Sequence, residues 1–401
     1  NSDFKSHNLY SMIMYNPNDK FKLSFELTYL NYLAHQAGGL TDQMFYNDIF
    51  QSNRSRNWFS VNWLLYNIQS NYFISKNTIL SFNTFYLDAS RYSVGFRSNR
   101  VDQIDSFEER DLIKADFNNY GFETKLSHKF NLFNIDMISL VGGKIYKGSN
   151  SSEQGPGSAG LDADFSFYLN DFPNYDNQSK YSNPNLNYSI FGENILYLNN
   201  KLLLIPGIRF EFIQTESDGF YREINTDAAG NVIFNNQIIT NDIRKRSFFL
   251  YGLGLEYRHS SAYNMYANVT QNYRAVTFSD INIINPSFII NPNINDENGY
   301  TLDLGFRGRL NNFIIYDIST FYLYYNDRIG FIQRVLEDGR IKNEKGNVGN
   351  AELYGYEILL NFNIDKVLDL DHFDNFSYYI NFSSINSEYI NSVENGVLGN
   401  Q

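Results

Sequence analysis

Residues Tyr300–Leu310 read YTLDLGFRGRL, with an apolar side chain at nearly every second position. A period of two is typical of a β-strand that has one apolar and one polar face. A soluble sandwich buries such an apolar face against a second sheet. An outer-membrane barrel instead turns the apolar face to lipid and keeps a polar lumen. The rest of the chain decides between these two architectures.

The same alternation recurs in seven pairs of segments, each joined by a short polar turn such as Pro17-Asn18-Asp19-Lys20. We therefore predict fourteen strands, near residues 8–16 with 21–33, 57–74 with 79–96, 117–131 with 135–147, 186–198 with 202–215, 247–258 with 263–273, 300–310 with 313–325, and 351–364 with 376–385. Six long polar connections separate the pairs, near residues 34–56, 97–116, 148–185, 216–246, 274–299 and 326–350. Short turns on one side and long loops on the other are typical of outer-membrane barrels.

The polar faces of these segments indicate where water lies. In the segment near residues 21–33, Lys22, Glu26 and Thr28 alternate with apolar side chains. A lysine at the bilayer midplane costs about 2–4 kcal/mol, so this polar face must line the lumen.

Composition excludes several classes of protein. The 401 residues contain no apolar run of the roughly 20 residues that a membrane helix requires. Aromatic residues make up 17% of the chain, many of them near strand ends, as in the aromatic belts of membrane barrels. The absence of cysteine excludes disulfides and thiolate metal sites. A net charge of -12 argues against binding of nucleic acid.

These patterns predict an all-β chain that forms part of an antiparallel transmembrane β-barrel. The last stretch, residues 394–401, has the composition of a turn and contains no closing strand. An open sheet edge is not stable in lipid, so we expect further strands on both sides of this chain. Residues 1–401 are therefore predicted to be the middle part of the barrel domain.

Two parts of the chain resemble the TonB-dependent outer-membrane receptors. Residues Gln271–Asp280 (QNYRAVTFSD) resemble the aromatic-Arg-Ala-Pro element of that family, with Val276 in place of the proline. Asn291-Pro292-Asn293-Ile294 and the tyrosine-containing segment Gly299–Gly305 then resemble its Asn-Pro loop and the strand that follows.

A narrower resemblance points to the ferric citrate receptor group within this family. It is carried by residues Gln36–Asp42 (QAGGLTD) and Gln51–Phe59 (QSNRSRNWF), with support from Tyr92–Phe96 and Gly207–Glu211. The resemblance implies a position near strands 4 to 17 of a barrel of about 22 strands, with the plug domain, the TonB box and the closing strands outside this chain. It also implies residence in the outer membrane of a Gram-negative bacterium and coupling to the TonB energy-transducing complex.

Ferric citrate and most siderophores are anionic or rich in oxygen, so their receptors need cations and amides near the bases of the loops. Six side chains there are our candidate ligand-binding residues: Arg54, Arg56, Arg91, Arg97, Gln271 and Arg274. The alternative is that these arginines pair with carboxylates of neighbouring loops or with lipid phosphates.

No pattern in the chain indicates a catalytic or a metal-binding site. The five histidines are scattered, so we expect no protein-bound metal or other cofactor, and iron would arrive as a chelate. No nucleophile elbow or phosphate-binding glycine loop occurs, and we predict no enzyme activity.

The leading hypothesis is an uptake receptor for a ferric chelate, such as ferric citrate or a siderophore, whose partners are that ligand, the TonB complex and outer-membrane lipid. An importer of glycans or peptides would share the barrel but would favour exposed aromatic side chains over arginines in its loops. A surface adhesion module would bury the apolar faces between two sheets.

Overall fold

The computed structural model describes residues 3–97, 100–227, 229, 231–260, 262–282, 288–311, 313–336, 339, 341–367 and 376–393. In this part of the chain, fifteen β-strands form one sheet. They are β1 (Phe4–Asn18), β2 (Phe21–His35), β3 (Trp58–Ser75), β4 (Thr78–Gly95), β5 (Arg110–Leu132), β6 (Ile135–Gly157), β7 (Ser179–Tyr197), β8 (Leu202–Thr226), β9 (Val232–Arg258), β10 (Tyr263–Arg274), β11 (Phe288–Ile290), β12 (Glu297–Leu310), β13 (Ile314–Val335), β14 (Ile341–Asn363) and β15 (Ser377–Ser392). Three short helices are α1 (Asp42–Asn47), α2 (Phe278–Ile281) and α3 (Ile364–Val367). None of the described helices has the length and apolar character needed to cross a membrane.

The sheet is antiparallel apart from one short strand. Strands β1 to β10 are neighbours in chain order and are followed by β12, β13, β14 and β15. The three-residue strand β11 lies beside β14 in parallel, from Phe288 opposite Asn343 to Ile290 opposite Lys345. Within the described residues β1 and β15 do not pair, so the sheet is open between them. The predicted all-β antiparallel architecture is confirmed. The sheet contains the fourteen predicted strands and one additional strand, β11, which the sequence did not predict.

Several strands continue far into stretches that we predicted to be loops. The predicted connection at residues 216–246 is mostly strand, because β8 extends to Thr226 and β9 begins at Val232. Likewise β13 and β14 occupy most of residues 326–350, and β6 extends to Gly157. These strand ends lie beyond the apolar band, where water reaches both faces. The alternation that marks a strand in lipid is therefore weak there.

The short turns before β2, β4, β6 and β8 occur where the sequence predicts them, whereas the described part of the connection between β14 and β15 contains α3. Phe133 and Asn134 connect β5 to β6 with φ angles of 53° and 62°. Two consecutive residues with positive φ are typical of a type I′ turn, whose twist matches that of the flanking strands.

Contacts between distant strands identify the concave face of the sheet. The Lys342 ammonium on β14 pairs with the Glu223 carboxylate on β8 at 3.1 Å, although four strands separate β8 from β14 in the sheet. Such a contact requires the sheet to curl towards the face that carries Glu223. By alternation along β8, the polar side chains of Arg209 and Glu211 share that face.

The opposite face is apolar and uncovered. On β12, Leu304 is 57% exposed and Leu302 is 40% exposed. A sandwich would bury these side chains against a second sheet, but the described strands form one sheet. The alternative prediction of a two-sheet sandwich, which an adhesion module requires, is therefore wrong for the described strands. The outer face has the character of a surface in contact with lipid.

Candidate functional site

Three arginines at the outer end of the barrel have protein partners. We call Arg54, Arg56 and Arg110 the arginine cluster. Arg56 is fully buried, and its guanidinium forms a bidentate ion pair with Asp105, in which Nε donates to Oδ2 at 2.8 Å. It also donates to the carbonyl oxygens of Glu108 at 2.9 Å and Ala159 at 3.0 Å. Arg56 thus joins two connections that are distant in sequence.

The other two members of the arginine cluster act in the same way. Arg54 donates to the carbonyl oxygens of Arg100 and Gln103, each at 3.1 Å, and its guanidinium lies 5.0 Å from the centre of the Phe96 ring. Arg110 is fully buried and donates to the carbonyl oxygen of Ser158 at 2.9 Å. The cluster stabilises the outer connections, while the predicted ligand-binding role of Arg54 and Arg56 stays a prediction.

The charge of Asp105 is stabilised within the arginine cluster. Burial raises the pKa of its carboxyl, but the hydrogen bonds from Arg56 and from the Phe107 N–H outweigh burial and hold the pKa below its usual value. Asp105 is therefore ionised at neutral pH, as its ion pair requires.

Two further predicted residues lie at the outer ends of β4 and β5. Arg91 lies on the inner face of β4 opposite Ala115, and its side chain is exposed. Among the described residues it forms no ion pair. Arg97 lies just beyond β4, and its charge opposes the effect of burial on Asp111, whose pKa remains raised. The Tyr175 hydroxyl donates a hydrogen bond to the same Asp111 carboxylate.

The remaining predicted residues, Gln271 and Arg274, organise the outer end of β10. Gln271 lies on the outer face, where its side-chain oxygen accepts a hydrogen bond from the Tyr251 N–H at 3.0 Å. Arg274 pairs with Asp280 at 3.0 Å and with Glu297 at 3.2 Å. Both contacts stabilise the local chain, and a direct role in ligand binding stays a prediction for both residues.

The connection from β10 to β12 folds onto the inner face of the sheet. We call its described part, residues 275–282 and 288–296, the inner segment. Its Asn282 side chain donates to Asn183 on β7 at 3.1 Å, and its Val276 carbonyl accepts from Arg246 on β9 at 2.8 Å. A small apolar cluster stabilises it, formed by Val276, Ile281, Ile294, Ile290 and Ile329. The inner segment thus spans the lumen side of the sheet from β7 to β14.

Asp280 is the charged centre of the inner segment. It is 1% exposed, accepts a hydrogen bond from the Thr277 N–H at 2.9 Å and pairs with Lys345 of β14 at 2.8 Å. Burial raises the pKa of Asp280, but the hydrogen bonds from Lys345 and Thr277 lower it by more and keep it below its usual value. This carboxylate therefore holds the inner segment against β14.

A chamber of about 590 Å³ lies between the inner segment and the inner face of β4 to β7. We call it the inner chamber. Its wall on one side includes Arg91, Phe117 and Gln154, and on the other side Phe278, Phe288 and Lys345. The Lys345 ammonium also lies 5.3 Å from the centre of the Phe331 ring. The inner chamber combines two cations, amides and aromatic rings with one carboxylate, Glu153, which pairs with Lys180. Its cations and rings suit an anion with apolar or aromatic parts.

Only one of the six predicted ligand-binding residues, Arg91, lines the inner chamber. Sequence reasoning missed Lys345, which lies in a predicted loop where no alternation indicates its face. It also did not select Asp280, although the Ser-Asp pair was part of the motif that carried the resemblance. Among the described residues no three His, Asp or Glu side chains are grouped as a metal site would require.

A curved antiparallel sheet with an apolar outer face, short turns at one end and a polar inner chamber defines part of the wall of a transmembrane β-barrel. The sequence model of the family described as "TonB dependent receptor-like, beta-barrel" matches residues 3–400. The chain belongs to the TonB-dependent receptors and forms part of their β-barrel.

Solved structures of such receptors share this fold. The ferric citrate transporter FecA in its unliganded form superposes with a TM-score of 0.75 at 17% identity, over 97% of this chain and 52% of FecA. The siderophore receptor PiuA from Acinetobacter baumannii superposes with a TM-score of 0.70 at 13% identity, over 100% of this chain and 60% of PiuA. The ferric yersiniabactin uptake receptor FyuA from Yersinia pestis superposes with a TM-score of 0.63 at 14% identity, over 97% of this chain and 52% of FyuA.

At these identities the likeness concerns the fold, and the chain spans about half the length of FecA. No curated protein matches the chain in sequence. The resemblance to TonB-dependent receptors is confirmed, and the substrate is a separate question.

Proposed function

We propose that this chain forms part of a TonB-dependent receptor that takes up an anionic ferric chelate, ferric citrate or a siderophore, and binds it in the inner chamber. The observation that carries this proposal is Arg91. It is an exposed cation on the inner face of an acidic chain, and it forms no ion pair within the described residues. A ligand carboxylate, hydroxamate or catecholate oxygen would provide the missing partner.

The setting of Arg91 strengthens its attraction for an anion. Aromatic side chains such as Phe117 and Phe278 line the same chamber. A charge-assisted hydrogen bond is stronger when water is partly excluded, and an arginine can hold two oxygen atoms of one ligand group. Lys345 on the opposite wall supplies a second cation, shared with Asp280.

The rest of the proposal concerns the whole receptor. We infer residence in the outer membrane of a Gram-negative bacterium, a plug domain encoded outside this chain, and force from the TonB complex that opens a path through the barrel. In this proposal iron is the cargo and enters as a chelate. We assign no catalytic residue and no cofactor.

The test compares two cations on opposite faces of the wall. Arg91→Ala removes the chamber cation, whereas Lys147→Ala removes an exposed lysine from the outer face of β6. The purified full-length receptor would be titrated with ferric citrate and with a ferric catecholate. We expect Arg91→Ala to weaken binding of the cognate chelate at least about tenfold, equivalent to about 1.4 kcal/mol, and Lys147→Ala to leave it unchanged. Equal affinity of the two variants, or no binding of either chelate, would contradict the proposal.

One observation favours the second candidate, an importer of glycans or peptides. In the first outer connection the arginines are buried, while Tyr46 is 85% exposed and Phe50 is 82% exposed. Exposed aromatic rings can stack on sugar rings or on apolar peptide side chains. If Tyr46→Ala lowered the affinity for an oligosaccharide while Arg91→Ala changed no chelate binding, this candidate would replace the first.

A further inference from the structure

The outer half of β9 has a strand neighbour on one side only. β9 pairs with β8 from Val232 to Tyr257, but it pairs with β10 only from Gly252 to Arg258. On the side away from β8, residues 232–251 therefore lack a strand partner within the described part of the chain. We call this side of residues 233–249 the free edge.

The hydrogen-bonding groups of the free edge can be assigned to particular residues. The Arg258 N–H donates to the Lys201 carbonyl at 2.6 Å, so even-numbered residues of β9 direct their backbone groups to β8. In an antiparallel ladder these directions alternate, so odd-numbered residues direct theirs away from β8. The Tyr251 N–H agrees with this assignment, because it points away from β8 and is bonded by the Gln271 side chain.

Only part of the free edge lacks the usual protection against strand addition, because a register shift opposite Asn225 and Thr226 lies at its outer end and Lys245 lies nearer the membrane. Exposed edges normally carry lysine, proline or a bulge, which discourage pairing with another chain. Residues 232–243 read VIFNNQIITNDI, with neither lysine nor proline and with Asp242 as their one charged residue. Ile233 is 70% exposed and Ile239 is 76% exposed on this part of β9. The outward face of this part of β9 thus combines isoleucines with the amides of Asn235, Gln237 and Asn241, and its edge is open.

Barrel geometry excludes a second copy of this chain as the strand partner. Barrel strands tilt by about 35–45° from the membrane normal. Two receptors in one membrane are related by an axis along that normal, so their β9 strands would cross at roughly 80°. Paired strands differ from alignment by only about 20–25°. The partner must instead approach as a flexible chain.

We propose that the free edge of β9 binds an extended peptide segment of another protein at the cell surface as an added antiparallel strand. The segment has apolar side chains at the positions that meet Ile239 and Ile243 on the outer face of β9. Because β9 runs towards the membrane, the segment runs away from it, and an acidic residue near its N-terminal end lies opposite the exposed Lys245. This inference does not depend on which ligand the inner chamber binds.

The test uses the full-length receptor in detergent and a synthetic peptide of alternating threonine and valine with one aspartate near its N-terminus. Asn241→Pro removes an N–H that points to the free edge and leaves the ladder to β8 intact, because residue 241 is odd-numbered. Asn241→Ala is the matched control, since it keeps the N–H. We expect Asn241→Pro to weaken peptide binding at least about tenfold and Asn241→Ala to change it less than about twofold.

Hydrogen exchange on the unmodified receptor gives a second readout that does not depend on how the proline variant folds. Bound peptide should slow exchange at odd-numbered amides of residues 235–245 and leave even-numbered amides, already bonded to β8, unchanged. The proposal would be overturned if exchange slowed equally at odd- and even-numbered amides, or if Asn241→Pro and Asn241→Ala bound the peptide with equal affinity. It would also be overturned if the receptor bound no peptide at about 1 mM. Dimerisation of the peptide-free receptor that Asn241→Pro abolishes would overturn it too.

Discussion

Replacing Arg56 by alanine should release the outer connections without unfolding the barrel. Arg56 has no exposed surface and donates four hydrogen bonds, two to Asp105 and one each to the carbonyls of Glu108 and Ala159. In Arg56→Ala the Asp105 carboxylate loses its cation and keeps the Phe107 N–H at 2.9 Å. The connection that carries Asp105 should then open to water.

The magnitude follows from the burial of the ion pair. Removing one partner of a buried pair costs about 3–5 kcal/mol, because the other charge is left uncompensated. Since 1.36 kcal/mol corresponds to a factor of ten, local opening should increase about 100-fold to several thousand-fold. The strands β2 to β6 have their own ladders, so the cost should be confined to the connections.

Hydrogen exchange of the Phe107 amide measures this opening directly, because that amide is bonded to Asp105. The matched control is Arg100→Ala in the same connection. Arg100 pairs with Asp102, but its side chain is 74% exposed, so its removal should change exchange little. Equal effects of Arg56→Ala and Arg100→Ala would refute the argument that burial determines the cost.

The pH dependence gives the same prediction an independent check. The pKa of Asp105 is lower in the folded protein than in the unfolded chain, so its contribution is fully present above the unfolded value of about 3.9. It is lost as the pH falls through the folded value. After correction for intrinsic exchange, protection of Phe107 should be constant from about pH 5 to 8 and should decline below about pH 4.

Three further changes test other parts of the fold. Asp280→Ala should expose the inner segment to protease at a local cost of about 1.5–3 kcal/mol, because its charge-assisted hydrogen bonds to Lys345 and Arg274 are lost while Arg274 keeps Glu297. Gly299→Ala should lower the urea midpoint by the equivalent of about 1–3 kcal/mol, since its Cβ would clash with the carbonyl oxygen of the adjacent strand, whereas Gly192→Ala should be tolerated because the nearest atom is 3.7 Å away. Glu223→Lys and Lys342→Glu should each increase hydrogen exchange at the outer end of β8, and the double variant should restore protection by re-forming the ion pair.

Sequence alternation predicts strands only where the two faces meet different solvents. On β12, lipid and lumen impose the pattern from Tyr300 to Leu310, and the structure confirms this strand. The outer halves of β8 and β9 have water on both faces, so no pattern marks them, and residues 216–246 were predicted as a loop. Their strand conformation comes from the pairing of the two outer halves with each other, which continues the ladder of the lower halves.

The candidate site was less predictable than the fold, because burial depends on partners that are distant in sequence. Arg56 and Arg91 both flank long connections, and nothing near either residue distinguishes them. Arg56 meets its carboxylate on another connection, at Asp105, and becomes buried. Arg91 lies on an inner face opposite Ala115 and stays exposed in the inner chamber.

This difference between the arginine cluster and Arg91 predicts how substitutions near each of them would act. The arginine cluster bonds mainly to backbone carbonyls, as Arg54 does to Arg100 and Gln103, so the side chains of the contacted residues can vary without loss of those bonds. Arg91 lines the chamber without an ion pair among the described residues, so under the proposed function its partner would come from solution. Ligand selectivity should therefore follow changes in the inner segment and the inner face of β4 to β7, while changes at exposed positions of the outer connections should leave it unaltered as long as the arginine cluster remains.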